Sequence, residues 1–183
     1  MVICKSVKLY FPDKEFEKFV EDRVERFTSC VNYWIDVIRE KQSTKLRDLQ
    51  GLPYFKIREL TKLESCSTQL GKFVAVRLSR TAKCRRSETP YIKNKFLVIK
   101  PRIKDNYVGF TVGDRKIRWV EFRGEKLPIG TLGESTIKKI NNEWYCLLSI
   151  RVETKKQKKY KKCIGVDLGI AKTAVISDWR GRN

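Results

Sequence analysis

The chain has 183 residues and carries 41 Lys and Arg against 21 Asp and Glu, a formal charge of +20 with no histidine. A hydrophobic content of 41% excludes wholesale disorder, and no apolar run is long enough to span a membrane. The absence of histidine removes imidazole general bases, Ser/His and Cys/His nucleophile pairs and His-containing metal sites.

A positive field of this size attracts polyanions, nucleic acid ahead of a membrane surface, and a general solubility role is the alternative. The length allows one or two domains. Met1-Val-Ile-Cys-Lys5 is neither a signal peptide nor a lipidation motif, so a cytoplasmic location without membrane attachment is expected. Six cysteines, at 4, 30, 66, 84, 146 and 163, form no Cys-x-x-Cys pair. They read as reduced thiols, mostly buried or semi-buried, with no zinc site.

Val2 to Phe11 alternates weakly and reads as a strand stopped by Pro12-Asp13, with Asp13 placed as a helix N-cap. Phe16, Phe19, Val20, Val24, Phe27, Val31, Trp34, Ile35 and Ile38 then recur at steps of three and four. That spacing predicts one long helix with a buried aromatic stripe. Ser43-Thr44 ends it or starts a short second helix, and Gly51-Leu-Pro53 punctuates again. Two further helices are predicted over Tyr54–Leu63 and Ser65–Ala82, the latter with Leu70, Phe73, Val74 and Leu78 as its apolar face. Arg77, Arg80, Lys83, Arg85 and Arg86 crowd its end. Cations suit a helix C-terminus, but five exceed what capping needs and are expected to meet phosphate.

After Pro90 the period changes from 3.6 to two. Phe96–Ile99, Tyr107–Val112, Ile117–Phe122, Ser135–Ile140 and Trp144–Val152 read as strands, separated by turn residues such as Lys104-Asp-Asn106 and Asn141-Asn142. Short antiparallel strands in this number suggest a small barrel, OB-like or otherwise compact. Trp119, Phe122, Trp144 and Tyr145 are available to stack on bases or to fill the barrel. Thr154-Lys-Lys-Gln-Lys-Lys-Tyr-Lys-Lys162 is either a solvated linker or a track along a nucleic-acid backbone, through Lys155, Lys156, Lys158, Lys159, Lys161 and Lys162.

The last stretch, Ile164-Gly-Val-Asp-Leu-Gly169, sets a single carboxylate between two glycines in an otherwise apolar strand, where Asp is disfavoured. Asp167 reads either as a metal ligand or as a strand-end residue bonded to nearby amides. A short connection and a second β-branched run, Thr173–Ile176, complete a hairpin.

Gly165-Val-Asp-Leu-Gly169, following a basic segment, resembles the first catalytic motif of the RuvC nuclease domain in TnpB (OrfB) proteins of insertion sequences, relatives of type V CRISPR effectors. The order of parts is similar too. It implies an α+β chain with a wedge-type or OB-like antiparallel barrel (1–11 and 91–153), an inserted helical recognition domain (12–90), a basic linker (154–162) and the first two strands of an incomplete RNase H-like domain (163–183). The partners implied are guide RNA and target DNA, with Asp167 as catalytic residue and Mg²⁺ ligand. That family's site takes carboxylates from three segments to hold two ions. Within these residues Asp167 alone matches, and Asp178 is read as a turn residue. The family's late cysteine cluster has no counterpart here either. The expectation is therefore the nucleic-acid-binding N-terminal half of such an endonuclease, a truncated, decayed or fragmentary form unable to cut alone. The alternatives are a stand-alone RNA- or DNA-binding module and the start of an actin-like ATPase. Ile170 and Ala171 stand where the ATPase phosphate loop carries hydroxyls, which disfavours the last.

Overall fold

The structure, a computed structural model, describes residues 1–84, 87–111, 116–124 and 126–153 in full and the backbone of two strands, 164–167 and 175–178. The chain divides into two units, Met1–Val152 and Glu153–Asn183. The class is α+β.

Helix α1 spans Lys14–Lys41, about 42 Å at 1.5 Å per residue. Asp13 opens it, accepting from the Phe16 amide at 2.6 Å. Glu15 and Glu17 in the first turn and Arg39 and Lys41 in the last complement its dipole. Gln42, in the left-handed region at φ 48°, closes it. Its stripe is buried from Phe16 to Ile38 except at Phe19, which lies at the edge of the stripe and is 37% exposed. A short 3-10 turn, Leu46–Leu49, buries Leu49 before α2, Leu52–Thr61.

Helix α3, Ser65–Cys84, buries Val74 as expected but not Phe73. Phe73 is half exposed, and Leu70 and Leu78 are partly buried. The fully buried side is Thr68, Gly71, Lys72, Val74, Ala75, Val76, Ser79 and Ala82. The reason is close approach to α1: a Cβ on Gly71 would stand 2.9 Å from the Cys30 sulfur and 3.8 Å from the Trp34 ring. A small-residue stripe lets two helices meet where leucines would hold them apart. The Trp34 indole N–H donates to the Thr68 carbonyl at 3.2 Å. Lys72, 3% exposed, sets its ammonium 5.7 Å from the Trp34 ring centre, and burial holds its pKa below the ordinary lysine value. Arg23 of α1 pairs with Glu64 just before α3.

Strands β1 (Val2–Tyr10), β2 (Phe96–Ile99), β3 (Arg102–Lys104), β4 (Tyr107–Thr111), β5 (Ile117–Arg123), β7 (Ser135–Ile140) and β8 (Glu143–Arg151) form one sheet in the order β2-β7-β8-β1-β5-β4-β3, with β6 (Thr131–Leu132) beside β8. The pairings are antiparallel. The N-terminal strand thus sits in the middle of a sheet otherwise made after residue 95. Laid flat, seven strands at about 4.8 Å would span roughly 29 Å. The two edge strands, β2 and β3, are joined by Lys100-Pro101 alone, a reach of about 11 Å from Ile99 to Arg102. The sheet must therefore curl strongly upon itself. Asn141 and Asn142, both at positive φ (48° and 63°), make the tight turn that matches strand twist between β7 and β8.

The concave side holds Val7, Leu9, Val108, Phe110, Val120, Phe122, Ile137, Cys146, Leu148 and Ile150, all buried. Phe16 of α1 stacks on Phe110, and the Trp144 indole donates to Glu17 at 2.8 Å, so helices and sheet share one core. Among the described residues no helix is long and apolar enough to cross a membrane.

The cysteines also need correcting. Cys4, Cys66 and Cys84 are exposed, and Cys30 and Cys146 are buried. Cys4 occupies an outward position of the alternating β1, and Cys66 and Cys84 lie near the two ends of α3. Cys163 lies outside the described residues. Burial pushes the Cys30 and Cys146 thiols up from 9.0 to about 12. The native state then keeps two protons that the unfolded chain releases above about pH 9, so stability is full below that pH and falls as pH rises towards 12, by up to about 1.4 kcal/mol per thiol per pH unit. Urea unfolding at pH 8 and pH 10 should show this loss, and Cys146→Ala should make it shallower.

Candidate nucleic-acid interface

The register assembles a surface that no single segment contains. Arg123 pairs with Lys8, Lys8 with Tyr145 and Tyr145 with Lys138. This row crosses four adjacent strands, roughly 14 Å from end to end. Two residues along β1, Tyr10 pairs with Glu121, which pairs with Tyr107 and through it with Lys104. A third row joins Trp119 to Gly109 and Arg102. Directly paired residues share a face, so all three rows lie on the convex side. With Arg151, partner of Val2, this side has Lys8, Arg102, Lys104, Arg123, Lys138 and Arg151 against the carboxylates of Glu121 and Glu143.

Like charges directly opposite each other destabilise a sheet, yet Lys8 faces Arg123. Local partners offset the repulsion. Lys8 contacts the Glu143 carboxylate, to which the Tyr145 hydroxyl also donates at 2.8 Å. The bond to Glu143 holds the Lys8 pKa above the ordinary lysine value. The bonds from Lys8 and then Tyr145 hold Glu143 below the usual carboxylate value. The Arg123 guanidinium lies 4.5 Å from the Tyr10 ring centre and reaches Glu121 at 3.2 Å. Trp119, 39% exposed, lies across Gly109, where a Cβ would come within 2.7 Å of the indole. Glycine there keeps the ring flat on the sheet. Interleaved cations and exposed aromatic faces are what a polynucleotide needs: charge for phosphates and platforms for bases.

The four aromatics offered as stackers therefore divide. Trp119 and Tyr145 are on the convex side, while Phe122 and Trp144 are 6% and 4% exposed and belong to the core. Arg118 turns to the other side and covers the rings of Phe16 and Phe19. Sequence reading missed Lys8, Tyr10, Arg102, Lys104, Tyr107, Arg123 and Arg151; the available signal was the alternation of basic and apolar residues along the strands.

On α3, Arg77, Arg80 and Lys83 are all exposed, and their three-residue spacing keeps them on one side. Arg80 Nη2 also donates to the Thr44 carbonyl at 3.3 Å. Arg85, Arg86 and Lys155, Lys156, Lys158, Lys159, Lys161 and Lys162 lie outside the described residues. The groove between α1 and α2 has the opposite character, with Asp36, Glu40 and Glu59 against Lys56 around exposed Leu52, Phe55 and Leu60. A polyanion is repelled there.

In the second unit, β9 (Ile164–Asp167) pairs antiparallel with β10 (Val175–Asp178); residues 173 and 174 of the expected second run lie outside the described residues. Among the described residues Asp167 pairs with Val175 and Asp178 with Ile164. The backbone positions of the two aspartates are thus roughly 10 Å apart along the strands. Mg²⁺ takes near-octahedral oxygen coordination, and a two-ion site needs several carboxylates. One aspartate alone does not supply that donor set. Among the described residues no three His, Cys, Asp or Glu side chains come together. No protein-family model matches the chain, and no curated protein sequence matches it.

Proposed function

We propose that this chain binds nucleic acid through the convex side of its sheet and the basic side of α3. The observation that carries the reading is the Arg123–Lys8–Tyr145–Lys138 row, where like charges are set side by side and supported by aromatic rings and a shared carboxylate. A sheet built for stability alone has no use for that repulsion. Binding would proceed by phosphate neutralisation with release of counterions, and by stacking on Trp119, Tyr107 and Tyr145.

The resemblance of Gly165–Gly169 takes the proposal one step further, to the N-terminal portion of a TnpB-like, RNA-guided DNA endonuclease with guide RNA and DNA as partners. Supporting it are the central placement of β1 in a sheet completed after the helices and the net charge of +20. In that reading the barrel is the wedge, the helices are the recognition domain, and Asp167 is the first carboxylate of an Mg²⁺ site. The 183 residues bind but do not cut. In the purified chain with Mg²⁺ and structured RNA, Asp167→Ala is expected to leave RNA and DNA affinity unchanged, with no cleavage by either form. Site-specific cutting that disappears in Asp167→Ala would overturn the binding-only assignment.

A further inference from the structure

Two of the rings on the convex side are not engaged by the protein itself. Tyr10 already has the Arg123 guanidinium 4.5 Å and the Lys8 ammonium 5.5 Å from its ring centre, and the Tyr145 hydroxyl is bound to Glu143. Trp119 and Tyr107 are 39% and 46% exposed, and neither meets a second ring or a cation among the described residues. Single exposed apolar residues are ordinary. Two open rings side by side, one of them held flat, are a surface.

Trp119 is paired with Gly109 of the neighbouring strand, and a Cβ there would stand 2.7 Å from the indole. Any larger residue would lift or tilt the ring. Glycine lets one face of the indole lie on the backbone, so the exposed face is the opposite one. Tyr107 is two residues from Gly109 on β4, about 7 Å along the strand. Edge strand β3 repeats that interval in cations, for Lys104 pairs with Tyr107 and Arg102 with Gly109. Each ring position thus has a cation one strand outward, about 4.8 Å away. Both cations are exposed and make no ion pair among the described residues. On the inner side Glu121 pairs with Tyr107 and reaches Arg123 at 3.2 Å. Its carboxylate repels phosphate but accepts from a base N–H, which sets phosphates outward over β3 and bases inward.

The interval decides which nucleic acid fits. Along one strand of a duplex successive nucleotides rise about 3.4 Å, and stacked neighbours cover each other's faces. Rings about 7 Å apart can each take one base only from a strand whose bases are unstacked. We infer that this part of the sheet is a two-nucleotide subsite for single-stranded nucleic acid, with bases on Trp119 and Tyr107 and phosphates at Arg102 and Lys104. The inference rests on the nucleic-acid reading above and names the strand state that this surface selects.

The test is fluorescence anisotropy of the whole chain with three probes: a single-stranded DNA of about 12 nucleotides, the same backbone without bases, and the matching duplex. In the parent the base-bearing strand should bind about a hundredfold more tightly than the abasic one, which has the same phosphates. Trp119→Ala and Tyr107→Ala should each weaken the base-bearing strand about tenfold and leave the abasic strand and the duplex unchanged. Trp119→Phe, which keeps a ring, should recover most of the loss. Arg102→Gln with Lys104→Gln should lower the single-strand salt slope by about 1.4, roughly 0.7 for each phosphate. Strand affinity unchanged in both alanine variants, or lowered equally for strand and duplex, would overturn the subsite and leave the nucleic-acid reading standing. So would equal affinity of the parent for the base-bearing and abasic strands, a result that needs no variant to fold. If the chain binds none of the three probes, the nucleic-acid reading falls and the subsite with it. A melting temperature several degrees lower in Trp119→Ala, with strand affinity intact, would make the indole a cover for Gly109 and overturn the inference.

Discussion

Trp34→Ala is expected to cost about 3–5 kcal/mol of stability, the range for deleting a buried aromatic side chain. Trp34 is fully buried at the α1–α3 contact. Its removal opens a cavity beside Gly71, strips the indole donor from the Thr68 carbonyl and takes away the ring beneath the Lys72 ammonium. A chain of this size loses roughly 2–4 °C per kcal/mol, so the midpoint should fall by roughly 6–20 °C. Thermal unfolding followed by far-UV circular dichroism measures it. Gly71→Leu acts at the same seam from the opposite direction, driving a branched side chain into Cys30, and should also lower the midpoint. A shift of a degree or two in both variants would mean that the two helices do not meet at this face.

The second large effect concerns binding. Lys8→Gln, Arg123→Gln and Lys138→Gln combined should weaken polynucleotide binding about a hundredfold at low salt and reduce the salt slope by about three, one unit per lost phosphate contact. The change should be uniform across sequences, because phosphate contacts position and do not read bases. The melting temperature should stay within about two degrees, since all three residues are on the surface. Fluorescence anisotropy on duplex DNA and on structured RNA gives both quantities. An unchanged slope would remove the convex sheet from the interface and leave α3 as its candidate.

Elements with a strong local signal were legible in the sequence. Helix α1 buries eight of the nine apolar residues of its expected stripe and has an N-cap aspartate, and β7 and β8 have clean alternation around Asn141-Asn142. Strand β3 escaped because three residues with one apolar side chain, Ile103, carry no period. Strand β6, two residues long, escaped for the same reason. On α3 only Phe73 was misplaced and Gly71 overlooked, because hydrophobicity rewards the ring and ignores the glycine that the close approach to Cys30 needs. The candidate interface was half visible. Basic residues alternating with apolar ones mark an outward-facing charge, but Lys8, Arg123, Lys138 and Tyr145 meet through strand register, which composition does not encode. The Asp167 motif stands on its residues alone.

The central claim is that this chain holds a polynucleotide chiefly through its phosphates. Its most direct test is the affinity of the unmodified chain for duplex DNA and for structured RNA, measured between 50 and 200 mM monovalent salt. Six or more phosphate contacts predict a linear fall of log affinity with log salt, about a thousandfold or more across that interval. An affinity that stays flat over the same range would contradict the account.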